Sequence, residues 1–92
     1  MGILRPDSAG YQRDLEAVRA GLAPTAERVA IRGAGLARFV WAEAAGRSVE
    51  VSWDEAGICV EFWERGANSE SRQELHPSYE QVVEAARAWL GS

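Results

Sequence analysis

Residues 48–64 read Ser-Val-Glu-Val-Ser-Trp-Asp-Glu-Ala-Gly-Ile-Cys-Val-Glu-Phe-Trp-Glu, and their alternation restricts the fold more than any other feature of the chain. Val49, Val51 and Trp53 alternate with Glu50 and Ser52, while Ile58, Val60 and Phe62 alternate with Cys59 and Glu61. Successive side chains of a strand point to opposite faces, so apolar residues at period two describe strands buried on one side. The polar segment Asp54-Glu55-Ala56-Gly57 between them is a hairpin loop, with Gly57 free to take the positive φ that closes a loop built on a type I turn. This loop sets Trp53 opposite Ile58, Val51 opposite Val60 and Val49 opposite Phe62. All six then share one face, and a one-residue slip would scatter them across both.

A further strand precedes the hairpin. Phe39 and Trp41 alternate with Arg38, Val40 and Ala42. A three-residue turn, Ala44-Ala45-Gly46, with Gly46 left-handed, would join it to the hairpin. Glu43 then faces Arg47, Trp41 faces Val49 and Phe39 faces Val51. That parity sends Phe39 and Trp41 to the core face and Val40 and Ala42 to the outer one.

Helices flank the strands. Tyr11, Leu15, Val18 and Leu22 recur at helical spacing from Ser8 to Gly21, with Asp7 or Ser8 as cap, Gly21 as stop and Ala23-Pro24 beyond it. Ser78 followed by Gln81 is a capping-box signature, and Tyr79, Val82, Val83, Ala86 and Leu90 form an apolar stripe that ends at Gly91. This second helix is expected across the core face, with Trp89 and Leu90 as anchors. Between residues 25 and 36, Val29 and Ile31 alternate with Arg28, Ala30 and Arg32, which favours a short strand over a helix starting at Thr25. Gly33-Ala34-Gly35 is a turn; it lacks the Lys-Ser/Thr of a phosphate loop. Residues 65–69 read as loop, and Glu70 to Leu75 as an exposed edge strand or further loop. The fold class is therefore α+β: an N-terminal helix, a three- or four-stranded antiparallel meander and a C-terminal helix packed on one sheet face. It forms a single domain over residues 1–92, with residues 1–7 frayed.

Composition narrows the function. The chain has 92 residues, 47% apolar and 26% charged, and a net charge of −4. Residues 1–38 carry six arginines against four acids, and residues 39–92 four arginines against ten. An acidic chain without a basic cluster is a poor nucleic-acid binder, because phosphate neutralisation supplies most of that affinity. The helix–strands–helix order resembles that of double-stranded-RNA-binding domains, but those domains need a lysine-rich start to the second helix. Here that start reads Ser78-Tyr79-Glu80-Gln81, so RNA binding is not expected. With no apolar run of 18 residues and no apolar stretch after the charged N-terminus, neither a membrane span nor a signal peptide is expected. The one cysteine excludes an internal disulfide and fits a reducing, cytoplasmic setting. All ten basic residues are arginine, which with the abundant Ala and Gly suggests a GC-rich bacterial genome.

Few residues are equipped for catalysis. Cys59 and His76, the only residues of their kinds, are expected on opposite faces of the sheet, so no Cys-His nucleophile pair forms. They cannot make a zinc site between them. No catalytic residue, metal or cofactor is expected, and an enzyme is not the favoured reading. The outer face of the hairpin is more informative. Glu50 and Glu61 stand directly opposite one another, an arrangement that costs about 0.2–1 kcal/mol. Arg38 lies diagonal to Glu50, and Trp63 projects from the same face. A large aromatic there is often a contact anchor. Glu50, Glu61 and Trp63 are thus the candidate partner-binding residues of a protein-interaction module with an acidic, aromatic face. Its partner would be a basic protein, or a second copy in a homodimer. The alternative is a small-ligand-binding or accessory-enzyme domain, with a pocket between sheet and helices lined by Trp41, Trp53, Tyr79 and Trp89.

Overall fold

A computed structural model describes residues 7–65 and 71–91. The chain runs α1 (Ser8–Leu22), β1 (Arg28–Arg32), a 3-10 turn (Gly35–Ala37), β2 (Phe39–Ala44), β3 (Arg47–Asp54), β4 (Gly57–Glu64), β5 (Arg72–His76) and α2 (Tyr79–Leu90). The five strands form one antiparallel meander in chain order. The expected class holds, with the strand number raised to five. Residues 28–32 and 72–76, the two segments with ambiguous patterns, both become edge strands. Arg28 and Arg32 bound β1 and Arg72 opens β5; charge of this kind blunts an edge against unwanted pairing.

Both helix starts are capped by the residues the sequence marks. The Asp7 carboxylate accepts from the Gly10 amide, and Ser78 Oγ accepts from the Gln81 amide at 3.3 Å. Asp7, expected to fray with the residues before it, is instead fixed as this cap; residues 1–6 and 66–70 lie outside the described residues. α1 runs one residue past Gly21, because Ala23 continues in helical geometry and its amide bonds to the Arg19 carbonyl.

The β3–β4 hairpin has the register read from the sequence: Trp53↔Ile58, Val51↔Val60, Glu50↔Glu61 and Val49↔Phe62. Its strands extend to Asp54 and Gly57, leaving Glu55-Ala56 at the tip, where Asp54 Oδ1 accepts from the Ala56 amide at 2.8 Å.

The register of β2 against β3 differs by one residue from the expectation. The pairs are Val40↔Val51, Trp41↔Glu50, Ala42↔Val49 and Ala44↔Arg47. The turn is therefore two residues, Ala45-Gly46, with φ of 52° and 81°. Positive φ at both central positions marks a type I′ turn, whose twist matches that of the flanking strands. Phe39 and Trp41 consequently leave the core face, and Val40, Ala42 and Ala44 occupy it, each buried. Alanine is a poor residue at positive φ, where an L side chain costs about 1–2 kcal/mol. Ala45→Asn should therefore stabilise the fold by about 0.5–1 kcal/mol, seen as a raised midpoint in urea titration with an unchanged slope. An unchanged midpoint would mean that the turn is not of this type.

Both helices lie on the same side of the sheet. α1 contacts β1 and β2, α2 contacts β3, β4 and β5, and the two helices contact each other. Tyr11, Leu15, Val18 and Leu22 of α1 and Val82, Ala86 and Leu90 of α2 meet Val40, Ala42, Val49, Val51, Ile58, Val60 and Phe62 in one core. Small residues along β2 leave room for α1 to sit close. Trp89 closes one flank. Its ring meets Phe62 edge-on with centroids 5.6 Å apart, its Nε1 donates to the Trp63 carbonyl at 3.2 Å, and the Arg47 guanidinium stacks on it at 4.6 Å.

Candidate functional site

With both helices on one side, neither element covers the other face of the sheet. The register fixes what that face displays. One row across the strands is Ala30, Trp41, Glu50, Glu61 and Gln73. Beside it stand Arg32 with Phe39 and Cys59 with Leu75, and on the other side Arg28 with Glu43 and Ser48 with Trp63. Leu75 is an exposed large hydrophobic residue, with 53% of its surface accessible. A cluster of aromatic and aliphatic side chains around a carboxylate pair is unusual for a face left to solvent, where scattered single hydrophobics are the norm.

The three candidate residues of the sequence all project here. Glu50 and Glu61 are register partners, and Trp63 stands beside them on β4, next to Glu61 on the same face. The cation beside them is not Arg38. Arg38 Nη1 points to Ser8 Oγ at 3.4 Å, and its carbonyl accepts from the Tyr11 hydroxyl at 2.6 Å. The cation is Arg32, which stacks on the Trp41 ring at 4.2 Å. This contact follows from the corrected register, which turns Trp41 outward beside β1. Phe39, Trp41 and Arg32 are therefore site residues that the sequence reading missed. The alternation of Arg28 and Arg32 with Val29 and Ile31 marks one face of β1 as charged, but which residues of β2 share that face is fixed only by the register.

The electrostatics are only partly relieved at the centre. Burial pushes the Glu50 carboxyl above its ordinary range, the Glu61 charge pushes it further, and Arg32 pulls it part of the way back. The Cys59 thiol is pushed up by burial, with Glu61 and Asp54 adding to the effect, so it is held as the weakly reactive thiol. A carboxyl with a raised folded-state pKa binds more protons folded than unfolded. It therefore lowers stability as pH rises through the carboxylate range. Glu50→Gln should raise stability at pH 7 by about 0.2–1 kcal/mol, an advantage that should vanish below about pH 4. Thermal unfolding at the two pH values checks this. An equal gain at both would assign the effect to something other than charge.

Next to the pair the face is hollowed. A concavity of about 340 Å³ is bounded by the 3-10 turn at Leu36 and Ala37, by Phe39 and by Glu50, Glu61 and Gln73. The pocket expected between sheet and helices needed Trp41, Trp53, Tyr79 and Trp89 together. The β2 register corrects that lining, because Trp41 faces away from α2, which carries Tyr79 and Trp89. Cys59 faces the open side, and His76, paired with Ile58, the packed side, where its Nε2 lies 3.0 Å from Glu74 Oε1. Among the described residues no group of three or more His, Cys, Asp and Glu converges as a metal site. No helix among them is long and apolar enough to cross a membrane. Comparison with protein-family models, curated proteins and solved structures yields no match to this chain, so its functional reading rests on the open face itself.

Proposed function

We propose that the chain is a non-catalytic protein-interaction module that binds a basic partner through the open face of its sheet. The observation that carries this is the placement of α1 and α2 on one side, which leaves Phe39, Trp41, Trp63 and Leu75 around Glu50 and Glu61 on the other. The aromatics supply contact area and the carboxylates supply sign: interfaces take most of their energy from a few such anchors and much of their selectivity from charge. A second copy is a poorer occupant than a basic protein. Stacking two faces about a central two-fold axis would set Glu50 and Glu61 of one copy against the same residues of the other, and like charges in juxtaposition cost several kcal/mol.

Affinity capture with the tagged protein tests this, comparing wild type, Glu50→Arg/Glu61→Arg and Trp63→Ala. The charge reversal should weaken the captured partner's binding by roughly tenfold or more, and Trp63→Ala by about tenfold. The wild-type affinity should fall with added salt. A partner bound equally by all three proteins would remove the open face from consideration.

A further inference from the structure

Building on that reading of the face, we infer that the partner inserts one arginine side chain into the concavity beside Glu50 and Glu61. At about 340 Å³ the hollow lies at the small end of ligand sites, with room for one long side chain. Its lining combines two chemistries: Leu36, Ala37, Phe39 and Trp53 are apolar, and Glu50, Glu61 and Gln73 are polar. An arginine has the matching combination, with a methylene stem that packs on apolar surface and a charged head that does not.

The head is read by two carboxylates carried on neighbouring strands and directly opposed. Cβ atoms in such a pair stand about 4.5–5.5 Å apart, which spreads the acceptor oxygens. A guanidinium offers five N–H donors in a rigid plane and can address both carboxylates at once, whereas an ammonium is a compact point charge. The plane also suits the aromatic wall. This chain's own guanidinium groups settle on rings in the same way: Arg32 on Trp41 at 4.2 Å, on this face, and Arg72 on Phe62 at 4.7 Å. Arg38 also lines the hollow, and its Nη1 donates to Ser8 Oγ at 3.4 Å. An incoming cation would also relieve the repulsion that Glu50 and Glu61 exert on one another.

The test uses acetyl-Gly-Arg-Gly-amide, with citrulline and lysine counterparts, titrated into the intact protein and followed by amide chemical shifts. The arginine peptide should move the amides of residues 50–52 and 59–61. It should bind roughly tenfold more tightly than the citrulline peptide and several-fold more tightly than the lysine peptide. Glu50→Gln/Glu61→Gln should lose roughly tenfold in affinity, and Glu55→Gln, at the hairpin tip, should lose none. The double neutralisation removes a repulsion, so folding is not at risk. Equal binding of the citrulline peptide, equal binding by the double variant, or shifts on another surface would overturn the inference. Lysine binding as tight as arginine would overturn the guanidinium assignment. If the peptide fails while Glu50→Arg/Glu61→Arg still abolishes partner capture, arginine insertion is wrong and the sheet-face reading stands. If capture is also unaffected, both fall.

Discussion

Phe62→Ala should destabilise the protein by about 3–5 kcal/mol. Phe62 is only 3% exposed and sits where β4 meets α2, edge-on to Trp89 and beneath the Arg72 guanidinium. Removing the ring leaves a cavity that neither the strand nor the helix can fill without moving, and deprives Trp89 of its aromatic partner. A domain of this length has roughly 5–14 kcal/mol in total, so the variant retains a fraction of its stability. Its melting temperature should fall by about 15–30 °C. Urea titration and thermal unfolding measure the loss. A cost below about 1 kcal/mol would show that α2 does not dock on β4 in solution.

Tyr11→Phe should cost about 2 kcal/mol, although it removes a single oxygen. The hydroxyl donates to the Arg38 carbonyl at 2.6 Å and accepts from the Trp53 amide at 3.0 Å. It thus ties α1 to the start of β2 and the end of β3, segments 27 and 42 residues away in the chain. Its loss strands one acceptor and one donor in a part-buried setting, which costs more than the net worth of the two bonds. The variant also carries a pH signature. Burial raises the Tyr11 hydroxyl above its ordinary value against the Trp53 amide, which lowers it, and burial likewise raises Tyr79, with Asp14 and Tyr11 adding to that shift. The folded state then holds protons that the unfolded state releases, so stability is complete below about pH 10 and declines as pH rises beyond it. Tyr11→Phe removes one of these two groups and should make that alkaline decline shallower. An unchanged slope would mean that Tyr11 is equally accessible folded and unfolded.

The sequence was most legible where one face of an element is apolar and the other polar. Val49 to Phe62 leaves a single workable register, and Ser78 with Gln81 marks the start of α2 without help from the rest of the fold. The β2 strand was harder for a physical reason. Phe39, Val40, Trp41 and Ala42 are apolar on both faces, so alternation cannot say which set is buried. Parity then depends on the turn, and Gly46 suits a two-residue loop or a three-residue one. The observed loop places Ala45 at positive φ, a conformation that propensity argues against and that the strand pairing on either side enforces. The same ambiguity hid half of the candidate site. Glu50, Glu61 and Trp63 lie on strands of certain parity, whereas Trp41, the β2 partner of Glu50, and Phe39 on the same face became visible only with the register known. Arg32 and β5 needed tertiary placement, because a five-residue edge strand has too few buried positions to announce itself.

Placing both helices on one side also separates what holds the chain together from what it presents. Along β2, β3 and β4 every second residue belongs to the core and the residues between belong to the open face, so two messages are interleaved in one stretch of sequence. Val40, Ala42, Val49, Val51, Val60 and Phe62 spell the fold. Phe39, Trp41, Glu50, Glu61 and Trp63 stand outside that set, and substitutions that share no packing partner act almost independently. A descendant of this chain could therefore change its partner by altering alternate letters of three strands while every core contact stayed as it is.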